Sequence, residues 1–128
     1  MIWVLDTNVC IDLLRGRTRG RRLPAFVDCR LSSVVAAELW TGAGKANDPE
    51  TQLRKVGAFV DLFEMIPFDA KAAVHYGEIR AFLEKAGTPI GSLDQLIAAQ
   101  ARSLGATLLT ANLREFRRVP GLKYQAWE

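Results

Sequence analysis

The sequence predicts an α/β protein, a mainly parallel sheet covered by helices on both faces. Two short apolar runs, Ile2-Trp3-Val4-Leu5 and Ala106-Thr107-Leu108-Leu109-Thr110, read as strands buried on both sides. Between them, apolar residues recur at helical spacing, as in Leu53, Val56, Phe59, Val60 and Phe63. Strand and helix patterns alternate along the chain, the order expected where strands run parallel. A length of 128 residues fits one domain, residues 1–128, with a sizeable core. No internal repeat, low-complexity tract or linker divides it.

The first strand stops at a carboxylate, Asp6. Thr7 and Asn8 are cap-type residues, and Val9 to Leu14 read as a helix. Gly16-Arg17-Thr18-Arg19-Gly20 is a loop by its glycines, and Leu23 to Val27 a short helical or irregular connection. Cys29 to Ser32 is a weak strand. Ser32 or Ser33 then caps a helix through Val34 to Trp40, which Gly42 ends or loosens. Asp48-Pro49 starts the next helix, with proline at its first position. Met65-Ile66-Pro67-Phe68 reads as a strand whose proline suggests a sheet edge. Asp69 caps a helix in which Ala72, Tyr76, Ile79, Leu83 and Ala86 form one stripe up to Gly87. After the loop Thr88 to Gly91, Ser92 and Gln95 are spaced as a capping box for a helix ending at Gly105. A helical turn from Asn112 to Phe116 and a final strand at Leu122 to Gln125 complete the chain.

With 49% hydrophobic and 24% charged residues the composition is that of an ordinary soluble protein. No apolar run approaches the roughly 20 residues that span a bilayer, so no membrane partner is expected. The N-terminus has no basic region and no small-residue cleavage site, and Cys10 and Cys29 lie in apolar segments as reduced core residues would. The expected location is the cytoplasm. Net charge is +3, with pI near 9.1. The basic residues are clustered: Arg15, Arg17, Arg19, Arg21 and Arg22 share one stretch without an acid, and Arg114, Arg117, Arg118 and Lys123 form a second. Guanidinium pairs bidentately with phosphate, so arginines at both ends point to a polyanion; a plain solvated face is the alternative.

Three acids stand out by their apolar settings. Asp6 ends the first strand, Glu38 sits in Val-Val-Ala-Ala-Glu-Leu-Trp, and Asp94 lies in the first turn of its helix, where the dipole favours an ionised acid. A carboxylate at a strand's C-terminal end sits where open α/β sheets bind ligands. Brought together, three like charges would repel, and burial would raise their pKa values. A divalent cation resolves that conflict, and oxygen-only ligands favour Mg²⁺ or Mn²⁺. Taken singly, each acid also has a local explanation as strand-end cap, core-edge salt bridge or helix N-terminal charge. One histidine and no paired Cys/His spacing argue against zinc, and His75 reads as structural. No P-loop, nucleophile elbow or dinucleotide glycine pattern is present.

Taken in order, Val4-Leu5-Asp6-Thr7-Asn8, then Leu31-Ser32-Ser33-Val34 with Ala37-Glu38-Leu39 and Gly42, then Pro89 to Ala99, then Leu109 to Phe116 with Val119-Pro120-Gly121-Leu122, resemble the PIN-domain ribonucleases. The resemblance is closest to the VapC toxins of bacterial toxin–antitoxin operons and covers nearly the whole chain. It implies a PIN-like, Rossmann-like sheet whose acids cluster at the strand C-termini around Mg²⁺ or Mn²⁺, and an endoribonuclease leaving 5′-phosphate and 3′-hydroxyl ends. It assigns Asp6, Glu38 and Asp94 to the metal site. Many PIN domains carry a fourth acid in a Thr-x-Asp motif; here that place reads Thr110-Ala111-Asn112. Glu115 is the expected substitute catalytic acid, with Asn112 orienting a water, and this departure leaves the choice between one and two metal ions open.

In the implied mechanism a cation-activated water attacks in line, with Glu38 or Glu115 orienting or deprotonating it. Thr7, Asn8 and Thr110 support the site. Arg15, Arg17, Arg19, Arg21, Arg22, Arg114 and Arg117 hold flanking phosphates of a structured RNA such as tRNA. The resemblance further implies a homodimer and a cognate VapB-like antitoxin, with Trp40 as either a contact residue or core. Two other readings compete: a PIN fold acting by antitoxin or RNA binding with weakened catalysis, and an Asp6-nucleophile phosphatase. Such phosphatases want a second aspartate where this chain has Asn8.

Overall fold

Five strands form one sheet in the order β3-β2-β1-β4-β5, every neighbouring pair parallel. The computed structural model describes all residues, 1–128. The strands are β1 (Trp3–Leu5), β2 (Cys29–Ser32), β3 (Glu64–Ile66), β4 (Thr107–Thr110) and β5 (Lys123–Ala126). The helices are α1 (Thr7–Leu14), α2 (Ser33–Gly44), α3 (Pro49–Val60), α4 (Ala70–Lys85), α5 (Ser92–Leu104) and the single turn α6 (Leu113–Phe116), with a 3₁₀ turn at Phe26–Asp28. Successive residues of a strand face opposite sides of the sheet. Val4 and Leu5 of β1, and Leu108 and Leu109 of β4, are nevertheless all buried, so both faces are covered, as their unbroken apolar runs require. On the helical side of this packing, α1, α2 and α3 lie against one another, and α4 lies along α5.

The strand order decides where a ligand can go. From β1 the chain moves outward to β2 and β3, then returns to the other side of β1 with β4 and β5. The direction of winding therefore reverses between β1 and β4, and the crevice at the C-terminal ends of these two strands is the topological switch point. Asp6 stands at that end of β1 and Thr110 at that end of β4, joined across the sheet by the Asp6 N–H to Leu109 carbonyl bond of 2.9 Å.

Local signals account for most element boundaries. Asp6, Ser32, Asp48 and Asp69 each accept a backbone N–H at the start of the helix they precede. Gly105 ends α5 in the left-handed conformation, φ 65°, that glycine adopts without cost. Proline follows β3 at the sheet edge, where its missing N–H breaks no ladder. Three expectations are corrected. Gly42 neither ends nor loosens α2, which runs on to Gly44 because Ala43 packs into the core beyond it. Leu53 and Ala86 fall outside the buried stripes of their helices, and Phe63 is buried from the turn after α3. The Ser92–Gln95 capping box does not form: Gln95 is drawn into the core and donates to the Ile90 carbonyl at 3.0 Å, while Gly91 occupies the N-cap without a side-chain bond.

Candidate active site

Asp6 caps α1 and at the same time stands at the switch point. It is 3% exposed, and its two carboxylate oxygens are gripped from three sides. Oδ1 accepts the Thr7 N–H at 2.8 Å, while Oδ2 accepts the Thr110 hydroxyl at 2.7 Å and the Asn8 amide at 3.1 Å. Burial raises its pKa above the ordinary carboxylate value; the Thr110 and Thr7 donors oppose this, the Glu38 charge adds to it, and Asn8 opposes it. Glu38, on α2, is tied to the same place because the Thr7 hydroxyl donates to its Oε1 at 2.7 Å. Thr7 thus bridges two acids, one through its N–H and one through its hydroxyl. Asn8 links Asp6 to the strand opposite by accepting the Ala111 N–H at 3.2 Å.

Asp94 enters from the first turn of α5 and meets Glu115 of α6, and the two carboxyls share a hydrogen bond. Against the expectation that the helix dipole keeps it ionised, Asp94 is pushed up to about 8, first by burial, then by this bond, then by the charges of Asp6, Glu115 and Glu38. Glu115 is held below its ordinary range by the Asp94 proton and by the Asn112 amide, which donates to its Oε2 at 2.8 Å. The Gly91 N–H and the charge of Arg118 act in the same direction. Asn112 also sends its N–H to the Thr110 hydroxyl at 2.9 Å. The Asn112 amide, expected to orient a water, instead orients the Glu115 carboxylate, which faces Asp94.

Four acids from four separate elements accordingly feel one another at the switch point. They stand as two pairs, Asp6 with Glu38 and Asp94 with Glu115, and no three form a closed set of cation ligands in this arrangement. The donor chemistry nevertheless fits a hard divalent cation. All donors are oxygens, burial and neighbouring negative charge disfavour the ionised forms of Asp6 and Asp94, and a cation would offset that cost. His75 lies elsewhere, accepting from Arg102 Nε at 2.8 Å, and Cys10 and Cys29 are buried free thiols. Two clefts meet at Glu38, one between α2 and α5 and the other beside α1, α2 and α3, where Arg15 joins the lining.

Arg15, Arg17, Arg19, Arg22, Arg114 and Arg117 are exposed, as phosphate contacts must be. Arg21 corrects the expectation for its cluster. It is half-buried, and its guanidinium is committed to Asp12, to the Thr18 and Arg17 carbonyls and to the face of Trp127. Sequence reasoning missed Asp12 and Trp127, because a lone acid on a helix and a tryptophan 115 residues away carry no shared pattern. Trp40 is 39% exposed and rests against Gly57 of α3.

The PIN domain model matches residues 3–122. The chain is 40% identical to the tRNA(fMet)-specific endonuclease VapC of Salmonella typhimurium, over 98% of this chain and 97% of that protein. It is 37% identical to the ribonuclease VapC2 of Rickettsia felis, over 100% and 99%. The crystal structure of DNA-bound VapBC from Salmonella typhimurium superposes with a TM-score of 0.90 at 36% identity, covering 100% of this chain and 99% of that one. Fold and full-length similarity agree: the chain belongs to the PIN-domain family and, within it, to the VapC ribonucleases.

Proposed function

We propose that this protein is a Mg²⁺- or Mn²⁺-dependent endoribonuclease that cuts structured RNA of the tRNA class and is neutralised by a VapB-like antitoxin. The observation that carries the reading is the convergence of Asp6, Glu38, Asp94 and Glu115, from four elements, on the switch point of a parallel sheet. Asp6, Glu38 and Asp94 would hold the cation, with Glu115 beside them. A cation held there would supply positive charge against the phosphodiester and lower the pKa of a water, making hydroxide available as the nucleophile. Thr110, Asn8 and the Thr7 N–H fix the Asp6 carboxylate, so it needs no reorganisation when substrate arrives. Thr7 anchors one oxygen of Glu38 and leaves the other to accept a proton from the attacking water. Asn112 keeps Glu115 aimed at Asp94. The exposed arginines hold flanking phosphates, which favours RNA without reading its sequence.

The tRNA substrate is supported by the name and identity of the Salmonella relative, and the antitoxin by the VapBC complex in which that relative's fold is seen. A homodimer belongs to the same reading. The test is cleavage of tRNA by protein freed of antitoxin, with Mg²⁺, Mn²⁺ or EDTA. Wild type cuts with either cation and stops in EDTA, while Asp6→Asn and Asp94→Asn lose at least about 100-fold in kcat/KM, because each removes a negative charge that would hold the cation. Products carry 5′-phosphate ends. Activity surviving EDTA, or a 2′,3′-cyclic phosphate product, would rule out a cation-activated water.

A further inference from the structure

The arginine-rich segment after α1 is folded around one of its own arginines. Arg21 Nε donates to the Thr18 carbonyl at 2.7 Å, and Nη2 donates to the Arg17 carbonyl at 2.8 Å. The same Nη2 reaches Asp12 Oδ2 on α1 at 2.9 Å. Trp127 closes the set: its indole N–H donates to that same Asp12 oxygen at 3.0 Å, and its ring lies under the Arg21 guanidinium, 4.8 Å from centroid to Cζ. Trp127 is itself 4% exposed, and its backbone N–H is held by the Thr110 carbonyl at 2.8 Å. The Thr110 hydroxyl in turn holds Asp6. One continuous set of contacts thus runs from the site strand to the arginine segment.

We propose that Asp12, Arg21 and Trp127 form a clamp that holds the Arg15–Arg22 segment in a fixed shape, so that Arg15, Arg17, Arg19 and Arg22 meet RNA phosphates already positioned. The proposal rests on the RNA-cleaving reading and adds three positioning residues to it; none of the three touches the reacting atoms. The other four arginines are exposed, and none of them has an ion-pair partner. Like charges on one short segment repel and would disperse it, and the inward guanidinium opposes that by binding two of the segment's own carbonyls. Arg19 sits at φ 53°, flanked by Gly16 at 66° and Gly20 at 76°. Arg19 and Gly20 form the centre of a turn closed by the Arg21 N–H to Thr18 carbonyl bond of 2.9 Å, and the Arg21 side chain adds a second bond to that same carbonyl, so the clamp grips the turn that holds Arg19 in this costly conformation. Arg15, at the root of the segment, lines the same cleft as Glu38, so the segment begins at the site. An arm already ordered loses less freedom on binding than a disordered one.

The test uses full-length Trp127→Phe, Asp12→Asn and Arg21→Lys. The first keeps the ring and deletes the N–H, the second keeps shape and deletes charge, and the third keeps charge but cannot fork. Each should fold, and native-state trypsin should nick the segment after Arg17 or Arg19 about tenfold faster than in wild type, since local opening sets that rate. The KM for tRNA should rise about fivefold with kcat within about twofold, because the loss falls on binding. Arg21→Lys behaving like Trp127→Phe would exclude a simple charge effect. Nicking at the wild-type rate overturns the clamp; faster nicking with unchanged KM overturns its service to RNA. A purely structural role would lower the active fraction and the thermal midpoint and leave KM alone. Should wild type cut no RNA, the nuclease reading fails separately, and tRNA retention measured on the same variants decides the proposal: unchanged retention overturns it, a fivefold loss upholds it.

Discussion

Thr110 has a single hydroxyl with two obligations, donating to Asp6 Oδ2 and accepting the N–H of Asn112. Its geometry couples the buried acid to the turn that carries Glu115. Thr110→Val preserves shape and removes both bonds, in a position with no solvent access to replace them. The expected cost is about 1–3 kcal/mol for buried groups left unpaired, a fall of several degrees in Tm. Cleavage should fall further than stability does, because Asp6 then loses the strongest donor opposing its burial. Tm and kcat measured on one preparation check this, and parallel losses in the two would show Thr110 to be structural only. Asp6, Glu38 and Asp94 were legible in the sequence because an acid among apolar neighbours stands out. Glu115 was legible only through the resemblance. The partners of these acids were not, since the Thr7–Glu38 and Asp94–Glu115 contacts join residues far apart in sequence.

At the scale of elements, β2 and α2 are joined by Ser32, which serves two directions at once. Its hydroxyl accepts the Val34 N–H at 3.0 Å as a helix cap and donates to Gln100 Oε1 on α5. Gln100 then donates to the Ile66 carbonyl at the end of β3, at 2.6 Å. Cap and network together tie α2, α5 and the sheet edge into one unit beneath Glu38 and Asp94. Ser32→Ala removes the cap and strands a buried amide oxygen, for an expected loss of about 2–4 kcal/mol in urea unfolding. A cost near 0.5 kcal/mol would mean the Gln100 link contributes nothing. Caps and proline positions were readable because they act within a few residues. Ser-x-x-Gln spacing describes a helix start in isolation, whereas burial of the α5 face turns the Gln95 side chain to Ile90. Tertiary packing likewise carries α2 past Gly42, a residue of low helix propensity.

For the whole molecule, alternation of strands and helices was enough to forecast a parallel sheet, but not the order β3-β2-β1-β4-β5 that creates the switch point. That order brings Asp94 to Asp6, Glu38 and Glu115, and makes the stability of the cation-free protein depend on pH. Asp94 moves from an ordinary 3.8 to about 8 in the folded state, and Asp6 moves in the same direction. Between about pH 4 and 8 the folded protein keeps a proton that the unfolded chain has released, so stability falls as pH rises through that window and levels off above it. Glu115, Asp12 and Asp48 are shifted the other way, and their contributions are lost only as pH falls below the ordinary carboxylate range. In EDTA, Tm should therefore drop by a few degrees from pH 5.5 to 8.5. A cation that displaces the Asp94 proton competes with it, so Mg²⁺ should raise Tm more at pH 8.5 than at pH 5.5. Asp94→Asn should flatten the EDTA profile and remove most of the Mg²⁺ gain. A Tm that stays level or climbs with pH in EDTA, or a Mg²⁺ gain equal at both pH values, would show that these acids do not hold their protons against one another and that the cation does not bind among them.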